Sequence, residues 1–272
     1  MFDTTIDQLA ESGVHRAELA RTRPLSFLTG SAMAGAYVGF GAILMFTVGA
    51  HADPAWARLL MGAVFALGLT LITFAGGHLF TGYAMLMSLA WLRRKASGGE
   101  VLAALARCWL GNLVGALVLA AILKLAGGGV LLGDGAALFY KTAAAKANAP
   151  AVTLVFKAIL CNWLVCLTVW MCARTSSDTA KLGLVFWPVM MFAACGFEHS
   201  IANMFTFSLA LLGNAPDVTL GGVLANLAWV TLGNAIGGML MVGAGYWVQS
   251  QGVLAPRDVA RTNAEPAPLR ER

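Results

Sequence analysis

The sequence predicts an all-α polytopic membrane protein: six transmembrane helices arranged as two inverted three-helix repeats, with the second and fifth helices broken. Three observations predict it. Of 272 residues, 59% are hydrophobic and 11% charged, where a soluble domain carries about 25% charge. Two apolar stretches are too long to be single straight crossings and are interrupted by glycine and polar residues. The two halves of the chain share landmarks at a common interval.

The opening segment, 1–26, mixes acids and bases and has no continuous apolar run. It is neither a secretory signal nor a transit peptide. The spacing predicts an amphipathic helix on a cytoplasmic membrane surface, with Ile6, Leu9, Val14 and Leu19 on one face. A transmembrane channel domain follows over 27–250, with repeats at about 27–126 and 149–248. Crossings are predicted at 27–50, 59–92, 104–126, 152–174, 183–213 and 221–248, each long enough to span the hydrocarbon. The second and fifth, as straight helices, would be about 50 Å long against a hydrocarbon core of about 30 Å. AGGHLFTG at 75–82 and ACGFEHS at 194–200 interrupt them. Irregular backbone at that depth is tolerated only where protein or a wet cavity satisfies it, so both breaks face inward. Beyond the last crossing, 251–272 is charged and rich in Pro and Ala, which predicts a disordered cytoplasmic tail.

Counting Lys and Arg by side gives thirteen on the side of the two termini and five on the other, namely Arg58, Lys124, Lys141, Lys146 and Lys157. The positive-inside rule places both termini in the cytoplasm. The repeat rests on WLGNLVGAL at 109–117 matching TLGNAIGGM at 231–239, and on His78 and His199 recurring at the same interval to within one residue. Matching three-helix units in one chain have opposite orientation, because three is odd; this is a transport architecture. Spacings of the GxxxG type at Gly35/Gly39, Gly111/Gly115 and Gly233/Gly237 predict close helix contacts.

The basic residues form no continuous stripe, so nucleic acid is excluded as a partner. Five cysteines without a CxxC pair are read as buried structural thiols. With four histidines, no HExxH and no intramembrane GxSxG, neither a metal cluster nor a serine nucleophile is expected, and no cofactor is implied. The ionisable residues in the breaks remain to be explained. An isolated anion entering a dry passage faces a desolvation cost of several kcal/mol, far above the ~2.3 kcal/mol that 100 mV supplies. His199 stands at the start of the helix after the second break, where unpaired N–H groups and the helix dipole favour an anion. A neutral His199 that donates a hydrogen bond, or passes a proton to an arriving weak-acid anion, fits that place. Glu198 is expected to accept N–H groups of the loop and hold the break together. Thr81 and Asn162 offer uncharged contacts.

SAMAGAYVGFG, AGGHLFTG, LCNWLVCLTVWM and FEHSIANMF together resemble the formate/nitrite transporter family, closest to its nitrite-type members, over nearly the whole chain. The resemblance implies an aquaporin-like fold, a homopentamer with one pore per protomer, and the bacterial inner membrane. It implies a pore histidine at His199 with partners at Thr81 and Asn162, and an outer-vestibule lysine at Lys146. It also implies constrictions at Leu79, Phe80 and Val165 toward the cytoplasm and at Phe65, Leu69 and Phe192 toward the periplasm. Glu198, His78 and Asn203 fall on its loop scaffold. His78 stands where the family usually carries an acidic residue, so the loop must be anchored by other partners. The function implied is passage of a small monovalent anion, foremost nitrite, with protons, by channel or proton-coupled transport. Formate, lactate and hydrosulfide are alternatives of the same class. An aquaporin-like neutral-solute channel is the alternative of another class, although neither break contains Asn-Pro-Ala.

Overall fold

The computed structural model describes residues 2–254. The tail expected from 251 lies outside the described residues, apart from a last helix that runs to Leu254. Twelve α-helices and one π-helical stretch, with no strand among the described residues, follow in chain order. They are α1 (Asp3–Thr22), α2 (Pro24–His51), α3 (Ala57–Ala75), α4 (Phe80–Leu92), α5 (Gly98–Leu125), α6 (Gly129–Leu132) and α7 (Ala136–Ala147). Then come α8 (Ala151–Cys172), α9 (Asp178–Ala194), α10 (Ser200–Leu212), α11 (Leu220–Ile236), the π-helical Gly237–Ala244, and α12 (Gly245–Leu254). Five stretches among the described residues are long and apolar enough to cross a membrane: α2, α3, α5, α8 and Leu220–Ser250. Leucines on the outer surface, such as Leu25, Leu102 and Leu125, are largely exposed, as expected of a membrane protein whose solvent there is lipid.

Both breaks fall inside the glycine-containing strings. Helix stops at Ala75 and resumes at Phe80; it stops again at Ala194 and resumes at Ser200. Gly76 has φ 86° and Gly196 φ 69°, and at each a Cβ would meet nothing within 4 Å. These glycines are there for left-handed backbone and not for space. The two short helices beyond the breaks form the centre of the bundle. Every residue from Phe80 to Ala90 is buried, as is every residue from Ser200 to Ala210 except Ala202. That explains why α4 carries no amphipathic pattern: a helix enclosed by protein on all sides has no face that must be polar.

The paired glycines do close contacts. A Cβ on Gly35 would collide with the Asn112 carbonyl, and one on Gly115 with that of Ala32, joining α2 to α5. Gly233 and Gly237 make the corresponding approaches to Val155 and Ile159, joining α11 to α8. Small residues at these crossings let the backbones meet.

The first helix departs from expectation. Its apolar face is Ile6, Leu9, Ala10 and Gly13, buried against protein, while Val14 and Leu19 are only half-buried at its edge. It docks on α4, where Gly13 lies so close that a Cβ would stand 2.6 Å from the Leu86 carbonyl oxygen. Arg93 is ion-paired with Asp3 and Asp7, each at 3.1 Å, and Lys95 with Glu11 at 3.1 Å. Three of the acids of α1 are thus paired with basic residues just beyond the end of α4.

Candidate functional site

The two short helices present their N-termini to one place. His199 is the N-cap of α10: its Nδ1 accepts from the Ala202 N–H at 3.2 Å. With Nδ1 so occupied, the neutral ring carries its proton on Nε2, a tautomer assigned from hydrogen bonding. Nε2 lies 3.2 Å from Thr81 Oγ1, in the first turn of α4. Thr81 and His199 are both buried, so the two half-helices touch through this pair. The His199 ring stacks on Phe192 with centroids 5.9 Å apart, and Phe192 meets Phe65 edge-on at 5.8 Å.

A cavity of about 10 Å³, room for one water-sized particle, adjoins the imidazole. Phe65, Leu69, Leu79, Val165, Phe192 and His199 are among its walls. Five of the six expected constriction residues therefore converge on one point. Phe80 does not: it is buried outside the walls of this cavity, and its backbone N–H donates to Asn112 Oδ1 at 3.0 Å. Being the first residue of α4, it packs into the bundle while Leu79, one place earlier in extended conformation, faces the cavity.

On one side of Phe65, Phe192 and His199 the space opens into a vestibule of about 570 Å³, whose cationic walls are Arg58, Lys146 and Lys157. Lys146 is not a free attractor of anions. Its Nζ donates to both Glu198 oxygens at 2.9 Å, and Glu198 also accepts from Asn203 Nδ2 at 2.7 Å. Asn203 Nδ2 donates to Asn226 Oδ1, and Asn226 Nδ2 to the Lys146 carbonyl, closing a ring. Glu198 is thus a scaffold through side-chain partners, not through the loop N–H groups expected for it. Among the described residues neither Arg58 nor Lys157 is ion-paired, so they carry the vestibule's uncompensated charge.

Asn162 is on the walls of neither the small cavity nor the vestibule. Its Nδ2 donates to the Thr81 carbonyl at 3.1 Å and to the Asn234 carbonyl at 2.6 Å, which spends both amide hydrogens on backbone. It ties the first turn of α4 to α11 and is linked to His199 through Thr81. His78 is on the walls of neither cavity. Its Nδ1 pairs with the Tyr83 hydroxyl at 2.6 Å, its ring stacks on Phe27, and Arg16 of α1 lies 5.0 Å above the Tyr83 ring.

Two residues that sequence reasoning passed over hold the breaks. Asn112 Nδ2 donates to the carbonyls of Ser31 and His78, each at 2.7 Å, and its Oδ1 accepts from Phe80. Asn234 Nδ2 donates to the carbonyls of Ala158 and Glu198, each at 2.9 Å, and its Oδ1 accepts from Ser200 at 2.9 Å. Both lie in the matching strings LGNLVG and LGNAIG, where the glycines drew attention to packing. By this pattern the counterpart of His199 is Leu79, not His78.

The fold and site define an α-helical membrane protein in which two interrupted helices meet end to end at a buried histidine beside a small, mostly apolar cavity. The chain belongs to the formate/nitrite transporter family, whose sequence model matches residues 3–248. It is similar to the nitrite transporter NirC of Salmonella typhimurium, 47% identical over 248 residues covering 91% of each chain. Among solved structures it resembles an FNT family ion channel with a TM-score of 0.88 and 45% identity, over 91% of this chain and 99% of that one. A pentameric formate channel with formate bound matches at a TM-score of 0.71 and 29% identity, over 83% of this chain and 97% of that one. These relatives are named as transporters and channels, not enzymes.

Proposed function

We propose that this protein carries nitrite across the bacterial inner membrane, one anion at a time, along a passage running from the vestibule past His199 and through the apolar constriction. The observation that carries the reading is the His199 geometry. His199 is on the walls of both the small cavity and the vestibule, and a neutral imidazole there, its Nε2–H resting on Thr81, can turn that donor to an anion oxygen without bringing a buried charge of its own. Flanking it are two helix N-termini, whose partial positive charge favours an anion at the same point. Acquiring a second proton would require Nδ1 to give up the Ala202 N–H. Passage with proton transfer, in which Nε2 gives its proton to the anion and Nδ1 takes one from solvent in its place, is therefore coupled to loosening of the helix cap, and Arg58 and Lys157 raise the anion concentration at the vestibule.

The six crossings form two inverted repeats, with both termini in the cytoplasm and the vestibule periplasmic. The twin asparagine patterns support the repeat. So does the hydrogen bond from Trp109 Nε1 to Thr231 Oγ1 at 3.0 Å, which joins the first residues of the two matching strings as a two-fold relation would. By likeness to the pentameric formate channel, the assembly is a homopentamer. The similarity to a nitrite transporter favours nitrite, with formate as the alternative substrate. The test is counterflow of labelled nitrite and formate into proteoliposomes across a pH series, with and without a proton gradient. The wild-type protein takes up nitrite, and His199→Ala or His199→Asn changes the pH dependence or the preference between the anions. Wild-type behaviour from both variants would reject the role given to His199.

A further inference from the structure

We infer that Asn112 and Asn234 are twin positioning residues, each fixing one helix break so that a single side chain is presented to the passage, Leu79 by the first and His199 by the second. The inference rests on the passage proposed above and goes beyond it by naming what sets its two walls. Each asparagine is fully buried, with both amide hydrogens donated and the amide oxygen accepting from a backbone N–H. One donor holds a carbonyl on the packed helix, Ser31 on α2 or Ala158 on α8. The other donor and the acceptor grip two peptide groups that flank one residue. Around Leu79 these are the His78 carbonyl and the Phe80 N–H. Around His199 they are the Glu198 carbonyl and the Ser200 N–H.

The gripped residues share a conformation. Leu79 has φ −103° and ψ 122°, and His199 has φ −115° and ψ 114°. Each is the N-cap of its half-helix and each follows, three places on, a glycine with positive φ. Both line the same small cavity. The two breaks are therefore one structure carrying different chemistry at one position: an apolar wall in the first half, a hydrogen-bond donor in the second. The halves diverge where α2 and α8 bear on the asparagines. Gly35 lets α2 rest against the Asn112 carbonyl, whereas Asn162 of α8 reaches the Asn234 carbonyl with its side chain and goes on to Thr81. The partner of the imidazole is thus held to the clamp that aims it.

A purely structural staple would give the two asparagines the same phenotype; the clamp gives them different ones. The experiment compares Asn112→Ser with Asn234→Ser in the full-length, reconstituted protein, serine being too short to span the three partners. Two readouts are taken: labelled nitrite and formate flux against pH, and ¹⁵N NMR of histidine-labelled protein, which reports the imidazole tautomer without substrate. In the wild type, His199 shows the Nε2–H tautomer. Asn234→Ser disperses that signal and moves the midpoint of the flux–pH profile by about one unit, the equivalent of one hydrogen bond. Asn112→Ser leaves tautomer and midpoint in place and changes the ratio of nitrite to formate flux. The charged side chains that surround His199, namely those of Glu198 and Lys146 with Arg58 and Lys157 across the vestibule, make no bond to either asparagine side chain; Asn234 holds Glu198 only by its backbone carbonyl. Identical shifts from both variants, a midpoint moved by Asn112→Ser, or an Nδ1–H tautomer in the wild type would overturn the inference. The last two still decide the matter if Asn234→Ser does not assemble. Absence of nitrite flux in the wild type would instead undo the transport reading and leave the tautomer result standing.

Discussion

The Lys146–Glu198 pair predicts a coupling that can be measured. Glu198 is 5% exposed and accepts three short bonds, two from the Lys146 ammonium and one from Asn203. Glu198→Gln removes the charge and substitutes an NH₂ for one acceptor, so a donor must face either the ammonium or the Asn203 amide. Breaking a fully buried pair costs about 3–5 kcal/mol. The Lys146 side chain is 21% exposed to the vestibule, where water screens it, so the cost here is about 2–3 kcal/mol. For a chain of this size that is a fall in Tm of about 5–10 °C. Lys146→Met is expected to cost a similar amount, by stranding the carboxylate. The double variant, holding a neutral amide beside an apolar side chain, recovers most of the loss, a coupling of about 2 kcal/mol. Thermal unfolding of detergent-solubilised protein, followed by the fluorescence of its eight tryptophans, reads all four species. Additive losses, with the double variant the least stable, would show that the two side chains do not act as a pair.

Three further outcomes follow from other parts of the molecule. Arg58→Gln together with Lys157→Gln slows anion influx at low ionic strength and matches the wild type near 1 M salt, where the Debye length is about 3 Å; a salt-independent defect would assign them another role. Gly13→Leu lifts α1 from α4, exposing α1 to added protease while the rest of the bundle stays resistant; unchanged protection would mean that the close approach at Leu86 is dispensable. His78→Glu, which keeps an acceptor for the Tyr83 hydroxyl and places a carboxylate near Arg16, preserves transport and shifts its pH profile; an unshifted profile removes His78 from any part in pH response.

The breaks were legible because glycine and polar residues inside long apolar runs have few physical explanations in a membrane. His199 was legible for the same reason. The asparagine clamps were present in the very strings that revealed the repeat, yet the glycines beside them had a sufficient explanation in helix packing, so the amides went unread. His78 and His199 match in residue type but not in hydrogen-bond role: the residue gripped as His199 is gripped is Leu79, a correspondence that appears only in the folded chain. The pairing of Lys146 with Glu198 depends on how α7 folds back over the second break, and no local pattern encodes that. The place of Asn162 beside His199 is implied by the family resemblance, since a lone polar residue in a crossing serves helix packing as readily as a ligand; its two amide hydrogens go to backbone carbonyls. The docking of α1 was hidden because an amphipathic helix has the same pattern whether its apolar face meets lipid or protein.

The central claim is that the side chain at position 199 faces a passage which nitrite occupies. Its most direct test is accessibility of His199→Cys, with Cys195 changed to Ser, to a small water-soluble thiol reagent applied to reconstituted protein from each side in turn. The account predicts reaction from the vestibule side and a slower rate when nitrite is present. A thiol that reacts from neither side, or reacts at a rate nitrite leaves unchanged, would contradict it.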